Sequence, residues 1–148
     1  MDDVRCYCTK ARRVARRLTA IYDEALEPAG LKTPQFGLLR AIERAGAPSI
    51  TELAAATDLD RSTLGRNLRV LHKHGFVDLG SGTDERARIV RLRERGLEAI
   101  AHALPLWEAV QRHLEDRWPA GDRALFDRLA DELAELTAPT TYRGNRTV

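Results

Sequence analysis

The chain has 148 residues, 43% of them apolar and 31% charged, with a formal net charge of +2. That is enough to close a hydrophobic core as one domain over 1–148 and too balanced for wholesale disorder. No window holds the roughly 18 uncharged apolar residues of a spanning helix, the start MDDVRCYC lacks the basic, apolar, small-residue order of a secretory signal, and two close cysteines cannot staple a secreted fold. A cytoplasmic protein without a membrane partner is expected.

From Val4 to about Glu27, Tyr7, Ala11, Val14, Leu18, Ile21 and Ala25 recur at steps of three and four, predicting an amphipathic helix that Pro28 and Gly30 end. A second helix is predicted from near Pro34, with Thr33 as cap and Phe36, Leu38, Leu39 and Ile42 turned inward, closed by Gly46 and Pro48. Ser49 and Ile50 suit a stub of strand.

The segment TELAAATDLDRSTLGRNLRVLHKHG, Thr51 to Gly75, reads as two short helices joined by a tight turn. Leu53, Ala54 and Ala55 supply the apolar side of the first; Leu64, Leu68 and Leu71 line the second. Asp60 is placed to cap the second helix, and Gly75 to stop it. Burying the leucines leaves Arg61, Ser62, Arg66, Asn67, Arg69 and Lys73 outside, a mixture of phosphate clamps and base readers.

Beyond Gly75, Phe76 to Leu79 and Ala87 to Leu92 are short strand-like runs around GSGTDER, a loop suited to a hairpin turn. A hairpin after a helix-turn-helix is a wing, with Asp84, Glu85 and Arg86 at its tip and Arg88 and Arg91 on the returning strand. From Glu94 to about Trp118 the pattern is helical again, and Pro105 is expected to kink or split it. A last helix, roughly Asp122 to Thr137, carries Leu125, Leu129, Leu133 and Leu136 on one side. The fold class is mainly α with a small β-hairpin wing, a winged helix-turn-helix over 32–93 flanked by dimerisation helices at 1–31 and 94–140.

Residues 61–95 hold nine Lys or Arg against four acids, and residues 96–148 hold six against nine. Cations concentrate on the helix-turn-helix and the hairpin segment after it, as a site for a polyanion requires; the plainer reading is a solvated surface. A winged helix is complete in about 60 residues, so the flanking helices read as surplus to DNA binding, and mutual burial of their apolar stripes in a two-fold homodimer is the economical expectation. Two recognition helices about 34 Å apart then predict a palindromic operator in double-stranded DNA. The alternative is packing within one chain.

LKTPQFGLLRAI at 31–42, ITELAAATDLDRSTLGRNLRVLHKHGFV at 50–77, and Asp84, Glu85 and Arg86 followed by RIVRLRERG together resemble the MarR (multiple antibiotic resistance regulator) transcription factors over almost the whole chain. The resemblance implies a dimeric DNA-binding regulator, expected to be a repressor, whose recognition helix enters the major groove while the wing tip reaches the minor groove. By the same resemblance Arg66 matches a base-reading arginine, with Ser62, Thr63 and Asn67 as polar neighbours, and Arg86 matches the wing-tip arginine, oriented by Asp84. Arg69 and Lys73 are assigned to phosphates, and Arg61 and Arg88 join the DNA-contacting set. Gly65 departs from the family, which usually carries a side chain there; it costs about 1 kcal/mol of helix stability relative to Ala.

Members of the family commonly release DNA when a small anionic aromatic enters a crevice beside the dimer helices. The arginine cluster Arg12, Arg13, Arg16 and Arg17, Arg16 above all, and Trp107 are the candidates for such a pocket; the plainer readings are a solvated face and a core tryptophan. Alternatively, Cys8 and Tyr22 keep the spacing of the reactive cysteine and a tyrosine partner of the branch that senses organic hydroperoxides, although Arg12 and Thr33 stand where that branch has further tyrosines. The plainer reading of Cys8 is a small apolar side chain in the dimer seam. Cys6 and Cys8, read as helical, face different sides and make a poor disulfide.

For an enzyme, His72, His74, His102 and His113 offer no metal spacing, and there is no phosphate loop, dinucleotide fingerprint or nucleophile elbow. No enzyme activity, cofactor or metal is expected. A protein-binding helical scaffold would leave the arginine face without a role.

Overall fold

In the computed structural model, which describes residues 6–57, 59–80, 88–119 and 121–136, the 3.6-residue apolar periodicity becomes helix where it was expected. The order is α1 (Tyr7–Leu26), a 3-10 turn (Glu27–Ala29), α2 (Thr33–Ala45), α3 (Ile50–Thr57), α4 (Arg61–Lys73), β1 (Val77–Leu79), β2 (Val90–Leu92), α5 (Glu94–Arg117) and α6 (Asp122–Glu135). The strands pair antiparallel with Val77 opposite Leu92, Asp78 opposite Arg91 and Leu79 opposite Val90. Residues 1–110 and 111–148 form two compact units.

The first unit holds one core. Phe36, Leu38, Leu39 and Ile42 of α2, Leu53 of α3, and Leu64, Leu68 and Leu71 of α4 are buried together with Val77 and Val90 of the hairpin. Leu26 of α1 and Ile100 and Ala103 of α5 belong to the same cluster, so the core of the 32–93 segment is closed with help from both flanking helices. Ala55, expected on the apolar side of α3, is exposed; three consecutive residues span 200° of helix, and only Leu53 and partly Ala54 reach the core.

Helix starts differ from expectation in two instructive ways. Thr33 does not cap α2. Lys32 holds the cap position, and both the backbone N–H and the hydroxyl of Thr33 donate to Asp23 Oδ1 of α1, each at 2.7 Å. A carboxylate from a neighbouring helix thus does the capping, and the Thr33 backbone bond, helped by the hydroxyl and Lys32, holds Asp23 below the usual carboxylate range. At α3, Ser49 and Glu52 form a reciprocal pair: Ser49 N donates to Glu52 Oε2 at 2.7 Å and Glu52 N donates to Ser49 Oγ at 3.2 Å. The signal was the S-x-x-E spacing. The strand expected at 49–50 is half right, since Ser49 bridges Ile89 while Ile50 opens α3.

α5 runs through Pro105 without splitting. The carbonyl deprived of its partner belongs to Ala101, four residues earlier, and both residues are exposed, so water can take the place of the missing bond. At its other end α5 lies close against the hairpin. A Cβ on Gly96 would collide with the backbone carbonyl of Phe76, which accepts from Arg93 N at 3.0 Å.

In the second unit, Trp118 stacks on Phe126 with centroids 5.3 Å apart and planes 10° from parallel, and Arg123 Nη1 meets Glu115 Oε1 at 3.1 Å. Leu125, Phe126, Leu129 and Leu133 of α6 and Leu136 just after it are exposed, as are Tyr7, Val14 and Ile21 of α1.

Candidate nucleic-acid interface

α4 is an amphipathic helix with three leucines at 1% exposure or less on one side and a cationic, hydroxyl-bearing surface on the other. Arg61, Ser62, Arg66, Arg69 and Lys73 are exposed, while Thr63 and Asn67 are half-buried. Asp60 caps it as the sequence indicated: its backbone is extended (φ −63°, ψ 152°) and its carboxylate accepts from Ser62 N and Thr63 N, both at 3.0 Å. The hydroxyls of Ser62 and Thr63 donate to the same carboxylate, each at 2.6 Å. These bonds, the two hydroxyls foremost, push the Asp60 carboxyl far below the ordinary range.

Two arginines fold back along the helix. Arg66 Nη2 donates to Thr63 Oγ1 at 3.3 Å, and Arg69 Nε donates to the carbonyl of Gly65 at 3.2 Å. Gly65 itself is uncrowded: an added Cβ would meet only Arg69 Nη2, at 3.8 Å. Val70, 42% exposed, is an apolar member of this surface that the periodicity did not single out, because attention to the leucine spacing leaves its off-axis neighbour unassigned. Gly75 ends the element with φ +74°, the left-handed turn that glycine adopts without strain.

The hairpin is tied to α4 and to itself by polar contacts. The Val77 carbonyl accepts from His72 Nδ1 at 3.0 Å, and Arg93 forms an ion pair with Asp78, which the Arg93 hydrogen bond holds below its usual range. Arg91 is exposed and Arg88 half-buried. Asp84, Glu85 and Arg86, expected at the wing tip, lie outside the described residues.

A separate cavity of about 190 Å³ is lined by Thr33, Phe36, Gly37, Arg40 and Arg44 of α2 and Trp107 of α5. Phe36 and Trp107 have ring centroids 6.2 Å apart, inclined at 43°. Trp107 therefore stands at a cavity, whereas Arg16 is exposed on α1 and is not among the lining residues. The cations beside the rings are Arg40, paired with Glu43, and Arg44; neither stands out in the sequence, where the denser arginine cluster of α1 does.

Cys8 is exposed near the start of α1, and Tyr22 is half-buried near its end. Fourteen residues of helix separate them by roughly 21 Å, so they do not meet within one chain. Cys6 is the extended N-cap of α1, with φ −75° and ψ 112°. The expectation that Cys6 and Cys8 face different sides of a helix therefore loses its premise. Among the described residues no cluster of three or more His, Cys, Asp or Glu could hold a metal, and no helix is long and apolar enough to cross a membrane.

Residues 29–87 match the model of the MarR family. The M. tuberculosis transcriptional regulator MosR, in a crystal structure with DNA, is 36% identical with a TM-score of 0.74, the match covering 88% of this chain and 99% of that one. The chain belongs to the MarR family. Among curated relatives, the E. coli transcriptional regulator HosA is 28% identical over 105 residues, 70% of this chain and 77% of that protein. A mutant of E. coli MarR complexed with operator DNA is 22% identical, covers 89% of this chain and 96% of its own, and shares the fold at a TM-score of 0.76. As a MarR-family protein this chain is a DNA-binding transcriptional regulator with the winged-helix fold.

Proposed function

We propose that the protein is a repressor that binds a palindromic operator as a homodimer, with α4 in the major groove. The observation that carries this reading is the α4 surface: a helix anchored by three buried leucines and an Asp60 cap, presenting Arg61, Ser62, Arg66, Arg69 and Lys73 to solvent. Arg66 reads a base, guanine being the usual bidentate partner of arginine, with Thr63 and Asn67 beside it. Arg61, Arg69, Lys73 and Arg88 bind phosphates, and Arg86, oriented by Asp84, enters the minor groove at the wing. Val70 adds an apolar contact suited to a thymine methyl. The exposed apolar residues of α1 and α6 supply the dimer seam.

The effector is a small anionic aromatic whose ring lies against Phe36 and Trp107 and whose charge meets Arg40 and Arg44; Arg16 reaches it only from a second subunit. A second reading, favoured by the exposed thiol of Cys8, is a repressor released by organic hydroperoxide. There the tyrosine partner, Tyr22, must come from the other subunit, given the separation along α1.

Selection of duplexes from a random pool, followed by affinity measurements across a salt series, tests the reading. A preferred palindrome and a steep loss of affinity with salt are expected. Arg66→Ala should flatten the preference at one base pair per half-site and weaken specific binding by about 1–3 kcal/mol. Equal weakening on every sequence would make Arg66 a phosphate contact, and no selected sequence would end the reading.

A further inference from the structure

The hydroxyls at the start of α4 are committed before any DNA arrives. An ionised carboxylate offers no proton, and a hydroxyl has one proton and two lone pairs. Ser62 Oγ and Thr63 Oγ1 each lie 2.6 Å from Asp60, on Oδ1 and Oδ2 respectively, so each spends its only proton there. What remains on both oxygens is acceptor capacity. Thr63 already uses part of it, taking Arg66 Nη2 at 3.3 Å. Phosphate oxygens are acceptors too, so neither hydroxyl can serve as a phosphate donor in this state; a base amino group, N6 of adenine or N4 of cytosine, is the complementary partner in the major groove.

We propose that Asp60 is a positioning residue for base readout. By taking the Thr63 hydroxyl proton it makes Thr63 an acceptor that aims the Arg66 guanidinium, and by taking that of Ser62 it leaves Ser62 an acceptor, the complement of a base amino group. The proposal rests on the reading that α4 reads the operator. It extends that reading to a residue that touches no base. The depressed pKa of Asp60 supports its being ionised throughout the neutral range.

The geometry offers a substitution that separates capping from aiming. Three donors, Ser62 N, Ser62 Oγ and Thr63 N, converge on Oδ1, and only Thr63 Oγ1 reaches Oδ2. In Asp60→Asn the amide oxygen can keep the first three, and asparagine caps helices as well as aspartate does. Its NH2 then replaces Oδ2, so the Thr63 oxygen spends one of its two lone pairs on that N–H, and its own proton, no longer held at residue 60, competes for the direction of Arg66.

The test uses the full chain and the duplex selected by the wild type, varied at the base pair whose preference Arg66→Ala flattens. Asp60→Asn and Thr63→Val should each reduce discrimination at that base pair by about three- to tenfold, while Thr63→Ser, which restores the oxygen, keeps it. Asp60→Asn should still melt cooperatively, lowered no further than Asp60→Ala because the amide oxygen keeps the cap while the charge is lost, and in an Arg66→Ala background Asp60→Asn should change nothing at that position. Full discrimination by Asp60→Asn, or a uniform loss on every sequence, would overturn the proposal. Should the wild type select no sequence, or Arg66→Ala alter no base preference, it is the underlying reading of α4 that falls, and this one with it.

Discussion

Asp60 shows how much one exposed carboxylate can organise when donors surround it. It accepts four hydrogen bonds from Ser62 and Thr63, which satisfies two of the N–H groups that a helix start leaves without partners. Because its folded-state pKa lies below the unfolded value of about 3.9, its contribution to stability is complete above that value and fades as pH falls toward the folded pKa. Asp60→Ala should therefore lower the melting temperature by about 2–4 °C at pH 7, and the gap to wild type should shrink in scans below pH 4. A gap that persists unchanged at pH 2 would show that the charge is not the source. This cap was legible in sequence, since an aspartate directly before a leucine-periodic run has one common role. The Thr63–Arg66 contact was not, because spacing says which residues share a face and not which proton goes where.

At the scale of elements, the hairpin and α5 depend on one close approach. Gly96 has no side chain to fend off the Phe76 carbonyl, and Arg93 N can bond that carbonyl at 3.0 Å because the helix start lies against it. Gly96→Ala should destabilise the fold by about 1–3 kcal/mol through forced displacement of α5 from the hairpin, measured by urea unfolding; an unchanged midpoint would mean the backbone yields freely. Nothing in the sequence marked Gly96, which reads as an ordinary glycine at the edge of a helix until the partner strand is placed. The same holds at Asp23 and Thr33, ten residues apart, where a carboxylate on α1 caps α2. By contrast the Ser49–Glu52 box was available in the sequence, and a strand reading of the same residues hid it.

At the scale of the molecule, the apolar surface is unevenly disposed. Leu129 and Leu133 of α6 and Leu136 just after it are 45%, 65% and 68% exposed, an expensive way to leave leucine in water at about 25 cal/mol per Å². Replacing Leu129 and Leu133 together by Glu should yield monomers in sedimentation equilibrium and lower operator affinity at least tenfold, since one half-site then binds without its twin. Since the 1–110 unit holds its own core, helical content there should survive. A dimer of undiminished stability would place the seam elsewhere. Cations are gathered at 61–95 and acids are in excess beyond, the distribution that the proposed DNA contact through α4 requires.

The amino-acid sequence alone determined the helices, the α4 surface, the Asp60 cap and the hairpin, because each follows from local periodicity and from donors and acceptors within a few residues of one another. Tertiary structure decided what depends on distant partners. It recruited Leu26, Ile100 and Ala103 into the core of the winged helix, assigned the α2 cap to Asp23, and gathered Phe36, Arg40, Arg44 and Trp107 around one cavity. The division has a single physical cause: a hydrogen bond or apolar contact between residues near in the chain is written in their spacing, whereas one between residues far apart exists only after the chain has folded.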